Sequence, residues 1–304
     1  MAKKSSINIE DDQQSIFSII SAVDKSAEIL AESKTAVIKD YINTGSYILN
    51  ACMTGSIFKG VPSGRVLTLA GEPGTGKSFL AVSICREAQK KGYTPVYMDS
   101  EGAIDREFVE RLGCDATKFV IKQVTTIGEV STFMANLLQK VNQYPEDSRP
   151  KLIFVLDSLG NLTSAKELTD TLEANAKRDM TKQQEVKALF RTNATALAKA
   201  QAPMIVCSHI YKTMDLFSKN VVSGGSGIQY NSSLTLMLST AKLDDKESEK
   251  IAEGKIGDFT KTGVIVFLRT IRDDFRTSLI CFKKLIVFFT QSVGFCPESG
   301  KLFI

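Results

Sequence analysis

GEPGTGKS, residues 71–78, constrains this chain more than any other stretch. It fits G-x-x-x-x-G-K-[ST] and lies between the apolar run VLTLA at 66–70 and a helical pattern that begins at Lys77, the strand–loop–helix setting the motif requires. Glycines in such a loop let backbone N–H groups turn inward around phosphate oxygens, and the helix N-terminus adds positive potential. Gly71, Glu72, Pro73, Gly74, Thr75, Gly76, Lys77 and Ser78 are therefore candidate ATP-binding residues, with Lys77 reaching the β and γ phosphates and Ser78 ligating Mg²⁺. A plain glycine turn accounts for the glycines but not for the Lys-Ser pair.

The flanking pattern alternates apolar strands with helices. A helix from Lys77 to about Lys91, TPVYMD as a strand, helices near 105–112 and 127–141, and KLIFVLD as a strand follow in order. A polar stretch then runs to about Met180, before a long helix with Val186, Leu189, Phe190, Ala194 and Leu197 on one face. APMIVCSH, SSLTLMLS and TGVIVFLRTI are the later strands. Near-continuous apolar strands between helices predict an α/β fold with a mostly parallel central sheet flanked by helices. Ile16, Ile19, Ile20, Val23, Ala27, Leu30 and Ala31 add an amphipathic N-terminal helical appendage.

A phosphate loop of this kind needs an acid at the exit of another buried strand, to hold the magnesium or its waters. LIFVLDS supplies Asp157. Hydrolysis further needs a group that deprotonates or orients water, and YMDSEGAID, residues 97–105, carries three acids where a buried strand ends. Strand alternation puts Asp99 and Glu101 on one face, toward the crevice that the phosphate loop also opens onto. Glu101 is the candidate general base, Asp99 its support from behind, and Asp105 a helix N-terminal acid.

Composition narrows the rest. Six cysteines (Cys52, Cys85, Cys114, Cys207, Cys281 and Cys296) form no C-x-x-C pair, and His209 is the only histidine, so a zinc site has few ligands to draw on. Lys plus Arg exceed Asp plus Glu by 38 to 34, a surplus too small to identify a polyanion partner. With no signal-peptide-like N-terminus and no run of 18 apolar residues, a cytoplasmic protein without membrane partners is expected.

Taken together, YMDSEGAIDREFVERLGCD, LDSLGNL and SHIYKTMDLFSKNVVSGGSG resemble the RecA family of recombinases, most closely its phage branch, over about residues 31–271. The resemblance implies a RecA-type P-loop ATPase core, a DNA-dependent and Mg²⁺-dependent ATPase, and self-association into a helical filament on single-stranded DNA that pairs with double-stranded DNA. Single-strand-binding and loader proteins are implied as further partners. Glu101 matches the family's catalytic glutamate. His209 matches the position that senses the γ-phosphate and relays to the second of two DNA loops. A strand-end histidine satisfied by backbone is the plainer reading of that residue.

The first DNA loop is then expected within about residues 164–180, with Lys166, Lys177 and Arg178 as candidate contacts, and the second within about 212–225, with Lys212, Phe217, Lys219, Gly224 and Gly225. Glu167, Asp170, Glu173 and Asp179 offset the first set, so charge alone does not mark that stretch as a DNA site. Arg269, Arg272 and Arg276 are candidates to reach a neighbour's ATP site, although Asp273 and Asp274 interleave them. The expected division is an N-terminal arm and linker at 1–50, an ATPase core at 51–276 and an atypical short end at 277–304, the last read as a truncation or a change of reading frame. A motor ATPase of helicase type, and a shortened filament-joining protein without turnover, are the competing readings.

Overall fold

The computed structural model describes residues 16, 18–24, 37–172, 181–212, 220–223, 227–228, 231–241, 263–268 and 285–287. It divides into two compact units, Met1–Val37 and Ile38–Ile304. In the first, residues 18–23 are helical, and Ile19, Ile20 and Val23 of the apolar stripe are exposed.

In the second unit the strands are β1 (Tyr41–Ile42), β2 (Val61–Pro62), β3 (Val66–Gly71), β4 (Thr94–Asp99), β5 (Val120–Gln123), β6 (Leu152–Asp157), β7 (Met204–Lys212), β8 (Asn220–Val222), β9 (Leu234–Ala241), β10 (Gly263–Leu268) and β11 (Leu285–Val287). The helices are α1 (Tyr47–Thr54), α2 (Lys77–Lys90), α3 (Arg106–Arg111), α4 (Ile127–Val141), α5 (Ala165–Leu172) and α6 (Thr181–Ala200). The main sheet runs β11-β10-β9-β3-β7-β6-β4-β5, with β8 hydrogen-bonded to β7. Its six strands from β9 to β5 are parallel, while β10 and β11 continue it antiparallel.

Every residue of β3 and of β6 is buried, because apolar clusters cover the sheet on both faces. On one face Leu67, Leu69, Tyr97, Ile153, Val155, Ile205 and Cys207 pack with Leu80, Ala81 and Ile84 of α2. On the other, Val66, Val96, Met98, Phe154, Leu156 and Val206 pack with Ile127, Val130, Met134 and Leu138 of α4 and with Val186, Leu189 and Phe190 of α6. Odd and even positions of one strand thus feed different clusters, the period of two that a pleated strand imposes.

Local chemistry sets the element ends. Asp105 caps α3 by accepting from Phe108 N at 2.7 Å. Thr126 and Glu129 close a capping box on α4. The polar stretch after β6 contains a helix that its sequence was not assigned, since residues 165–172 form α5. Ser164 and Glu167 explain this: Glu167 N donates to Ser164 Oγ at 2.9 Å and Ser164 N to Glu167 Oε2 at 3.4 Å. Likewise β7 runs beyond His209 to Lys212, because β8 pairs back on its last three residues.

Candidate functional site

The phosphate-loop sequence occupies the turn from β3 to α2, at the carboxyl edge of the parallel strands. Gly76 is the N-cap of α2 with φ of 84°, a left-handed conformation that a side chain disfavours. Gly71 has no room for a Cβ, which would lie 2.5 Å from Thr75 Oγ1 and 2.7 Å from Leu238 O. Thr75 is buried and donates to Glu72 O at 2.8 Å, pinning the loop, whereas Glu72, Pro73 and Gly74 face solvent.

Lys77 is only 7% exposed, yet among the described residues no acid lies within ion-pair distance of it. Its ammonium donates instead to Gly71 O at 3.0 Å and Glu72 O at 2.8 Å. Burial pushes its pKa below the ordinary lysine value, against the opposing pull of Cys207, Asp157 and Glu101. A buried cation whose protons rest on loop carbonyls fits a polyphosphate, which supplies the missing negative charge.

One helical position on, Ser78 Oγ donates to Asp157 Oδ2 at 2.5 Å. Asp157 ends β6 and is buried, and the same oxygen accepts from Tyr97 OH at 2.6 Å. Burial, reinforced by Asp157, pushes the Tyr97 phenol and the neighbouring Cys207 thiol well above their ordinary values, so both stay protonated. A hydroxyl beside one carboxylate fits magnesium, which usually keeps waters and substrate oxygens for its remaining positions. Among the described residues no group of three or more His, Cys, Asp or Glu offers a fuller metal cage.

Glu101 reaches this crevice by a different route from simple strand alternation. β4 ends at Asp99, whose Oδ1 accepts from Glu101 N at 2.9 Å and Gly102 N at 2.8 Å, and this turn aims the next acid. Asp99 thus holds the turn that carries Glu101 through its backbone, not through a shared strand face. Glu101 Oε1 then accepts from Ser158 Oγ at 2.5 Å and lies 3.1 Å from His209 Nε2. No hydrogen bond among the described residues reaches Glu101 Oε2.

Ser158 and Ser100 are site residues that sequence reasoning missed. They bind reciprocally: Ser100 Oγ donates to Ser158 O and Ser158 N to Ser100 Oγ, both at 2.8 Å. The signal was present as the Asp-Ser pair repeated at 99–100 and 157–158, two strand exits in parallel register. Tyr97 was missed as well, its hydroxyl hidden in an apolar run.

His209 lies where β7 leaves the core sheet and joins β8. Ser223 N donates to its carbonyl at 2.7 Å, and its Nδ1 is buried without a hydrogen-bond partner among the described residues. Of the expected DNA contacts, Lys166 is exposed on the first turn of α5 and Lys212 closes β7 opposite Asn220. Lys177, Arg178, Phe217, Lys219, Gly224 and Gly225 lie outside the described residues, as do Arg269, Arg272 and Arg276. Lys182, not anticipated, donates to Gly160 O at 3.2 Å at the start of α6.

A glycine loop after β3, a lysine on the following helix and an acid ending β6 thus stand together at the carboxyl edge of a parallel sheet flanked by helices. Residues 14–274 match the family described as the RecA N-terminal domain, and the chain belongs to the RecA family. It is 28% identical over 218 residues to a recombination and repair protein of Enterobacteria phage T4, covering 71% of this chain and 54% of that protein. It is 27% identical over 197 residues to a plasmid RecA of Lactococcus lactis, covering 64% and 52% respectively. A RecA of Wolbachia is 27% identical over 266 residues, covering 84% and 70%. The chain spans about half the length of the first two relatives. Among the described residues no helix is long and apolar enough to cross a membrane.

Proposed function

We propose that this chain is an ATP-dependent DNA recombinase that assembles on single-stranded DNA, pairs it with homologous duplex and hydrolyses ATP when DNA is bound. The observation that carries the reading is the contact between Glu101 and His209, which joins the candidate base to the root of the β7–β8 hairpin. That hairpin leads into the stretch expected to hold DNA.

Lys77 would exchange its bonds to Gly71 O and Glu72 O for phosphate oxygens, and Ser78 with Asp157 would hold the magnesium ion. The bound ion supplies charge neutralisation at the phosphate oxygens. Glu101 takes the proton of the attacking water as its oxygen bonds to the γ-phosphorus; the bond to the β-phosphate oxygen breaks, releasing ADP and phosphate. Ser158 and His209 hold the carboxylate by Oε1, which leaves Oε2 for the water.

Three surface features support assembly into a filament. Among the described residues β5 ends the sheet with one neighbour, β4, and its Val120 and Ile121 are about half exposed, which would leave its outer edge for another chain. Beside it a hollow of ≈ 500 Å³ is lined by Ile104, Val109, Phe119 and Ile121. The apolar stripe at Ile16, Ile19, Ile20 and Val23 would dock on an adjacent copy.

The test is a joint-molecule assay with homologous single-stranded and duplex DNA in the presence of ATP and Mg²⁺. Homology-dependent joint molecules are the expected result. Unwinding of duplex from one end without pairing contradicts the recombinase reading and favours a motor ATPase.

A further inference from the structure

Tyr97 lies within β4, two residues before the acids of the strand exit, and its side chain is fully buried. It shares the cluster beneath α2 with Leu80 and Ile84, and its ring centroid is 5.9 Å from that of Phe119. Packing alone asks only for an aromatic ring here. A hydroxyl added in so apolar a place must find a partner. It finds Asp157 Oδ2 at 2.6 Å, the very oxygen that also accepts from Ser78 Oγ at 2.5 Å.

We infer that Tyr97 is a positioning residue for magnesium, acting through Asp157. A carboxylate on a short side chain can rotate about its last bond, and the Ser78 hydroxyl with the weakly donating Cys207 thiol leaves that rotation loosely set. The Tyr97 hydroxyl, a strong donor fixed in a rigid strand on the α2 face of the sheet, holds Oδ2 toward Ser78. The other oxygen is then left for the ion or its waters. Ser78, giving its proton to Oδ2, keeps its lone pairs for the ion. Groups that orient a metal-holding carboxylate typically change metal affinity 10- to 100-fold when removed.

The inference rests on the nucleotide-site reading given above, and the test separates the two. Fluorescent N-methylanthraniloyl-ADP is bound to the full chain and Mg²⁺ is titrated in, with anisotropy as the readout, so turnover plays no part. For Tyr97→Phe the Mg²⁺ concentration at half-effect should rise roughly tenfold, with nucleotide binding in EDTA within about twofold of the unmodified chain. Tyr93→Phe is the matched control: Tyr93 is also buried in this cluster, but its hydroxyl donates to Asp40 at 3.2 Å, away from the site. It should leave the Mg²⁺ midpoint in place even where it lowers the melting temperature.

An unchanged midpoint in Tyr97→Phe, or an equal rise in Tyr93→Phe, overturns the assignment. If Tyr97→Phe proves too unstable to titrate, Tyr97→His, which keeps a donor-bearing ring, should restore a midpoint within a few-fold of the unmodified chain. A His variant that folds yet shows the full tenfold loss contradicts the assignment. If the unmodified chain binds the nucleotide with no Mg²⁺ dependence, the site reading itself fails, and this assignment with it.

Discussion

Glu101 and His209, 108 positions apart in sequence, meet at 3.1 Å between Oε1 and Nε2, at the point where the core sheet gives way to the β7–β8 hairpin. The contact places the candidate base and the candidate relay in one hydrogen-bonded unit with Ser158. A change in the hairpin can reach the base through a single side chain.

Replacing Glu101 by Gln keeps the size and removes the proton acceptor. ATP binding should persist within a few-fold, while hydrolysis falls by about 100-fold or more, the range for loss of a general base. Phosphate release beside nucleotide-binding titrations checks this. Turnover near that of the unmodified chain would remove Glu101 from the role.

His209→Ala cuts the connection without touching the loop that carries Lys77. Stimulation of hydrolysis by single-stranded DNA should drop about 5- to 150-fold, with DNA affinity changed much less, the range for a coupling of about 1–3 kcal/mol. Stimulation preserved in this variant would show that DNA reaches the site by another path.

Lys77 is held in the fold at a cost, because it is buried with no acid in ion-pair range among the described residues. Lys77→Met should therefore leave nucleotide-free stability equal or raised in urea melts at neutral pH, while losing the stabilisation that ATP gives the unmodified chain. The pH dependence has a definite sign. Burial lowers the folded-state pKa below 10.5, so the unfolded chain binds the extra proton between the two values. The penalty is fully present below the folded pKa and is relieved as pH rises toward 10.5. The stability gap between Lys77→Met and the unmodified chain should narrow over that window; a gap that widens would contradict the burial argument.

Single-stranded DNA affinity should be strongly salt-dependent. If Lys166, Lys177, Arg178, Lys212 and Lys219 each neutralise a phosphate, affinity falls by about 100-fold between 50 and 200 mM salt. Fluorescence anisotropy of a labelled oligonucleotide measures it, and an affinity insensitive to salt would exclude backbone contacts by these groups.

What the sequence disclosed and what it hid follow from how each feature is encoded. The phosphate loop, Asp157 and the paired acids were legible because contiguous residues carry them: a glycine spacing, a Lys-Ser pair, an acid after an apolar run. Both faces of the sheet were legible for the same reason. Ser158, Ser100 and Tyr97 were not, because each acts across strands, and β4 and β6 are separated by α3, β5 and α4 in the chain. β5 was passed over because four residues at a sheet edge, mostly exposed, carry no apolar alternation. α5 was hidden within a mixed-charge stretch, although S-A-K-E at 164–167 spelled out its capping box.

The most direct test of the account is steady-state ATP hydrolysis by the 304-residue chain, with and without single-stranded DNA. Hydrolysis stimulated severalfold by DNA and abolished in Glu101→Gln is the predicted result. ATP bound with Mg²⁺ but hydrolysed at the same low rate with DNA present would contradict the proposed coupling of the site to DNA.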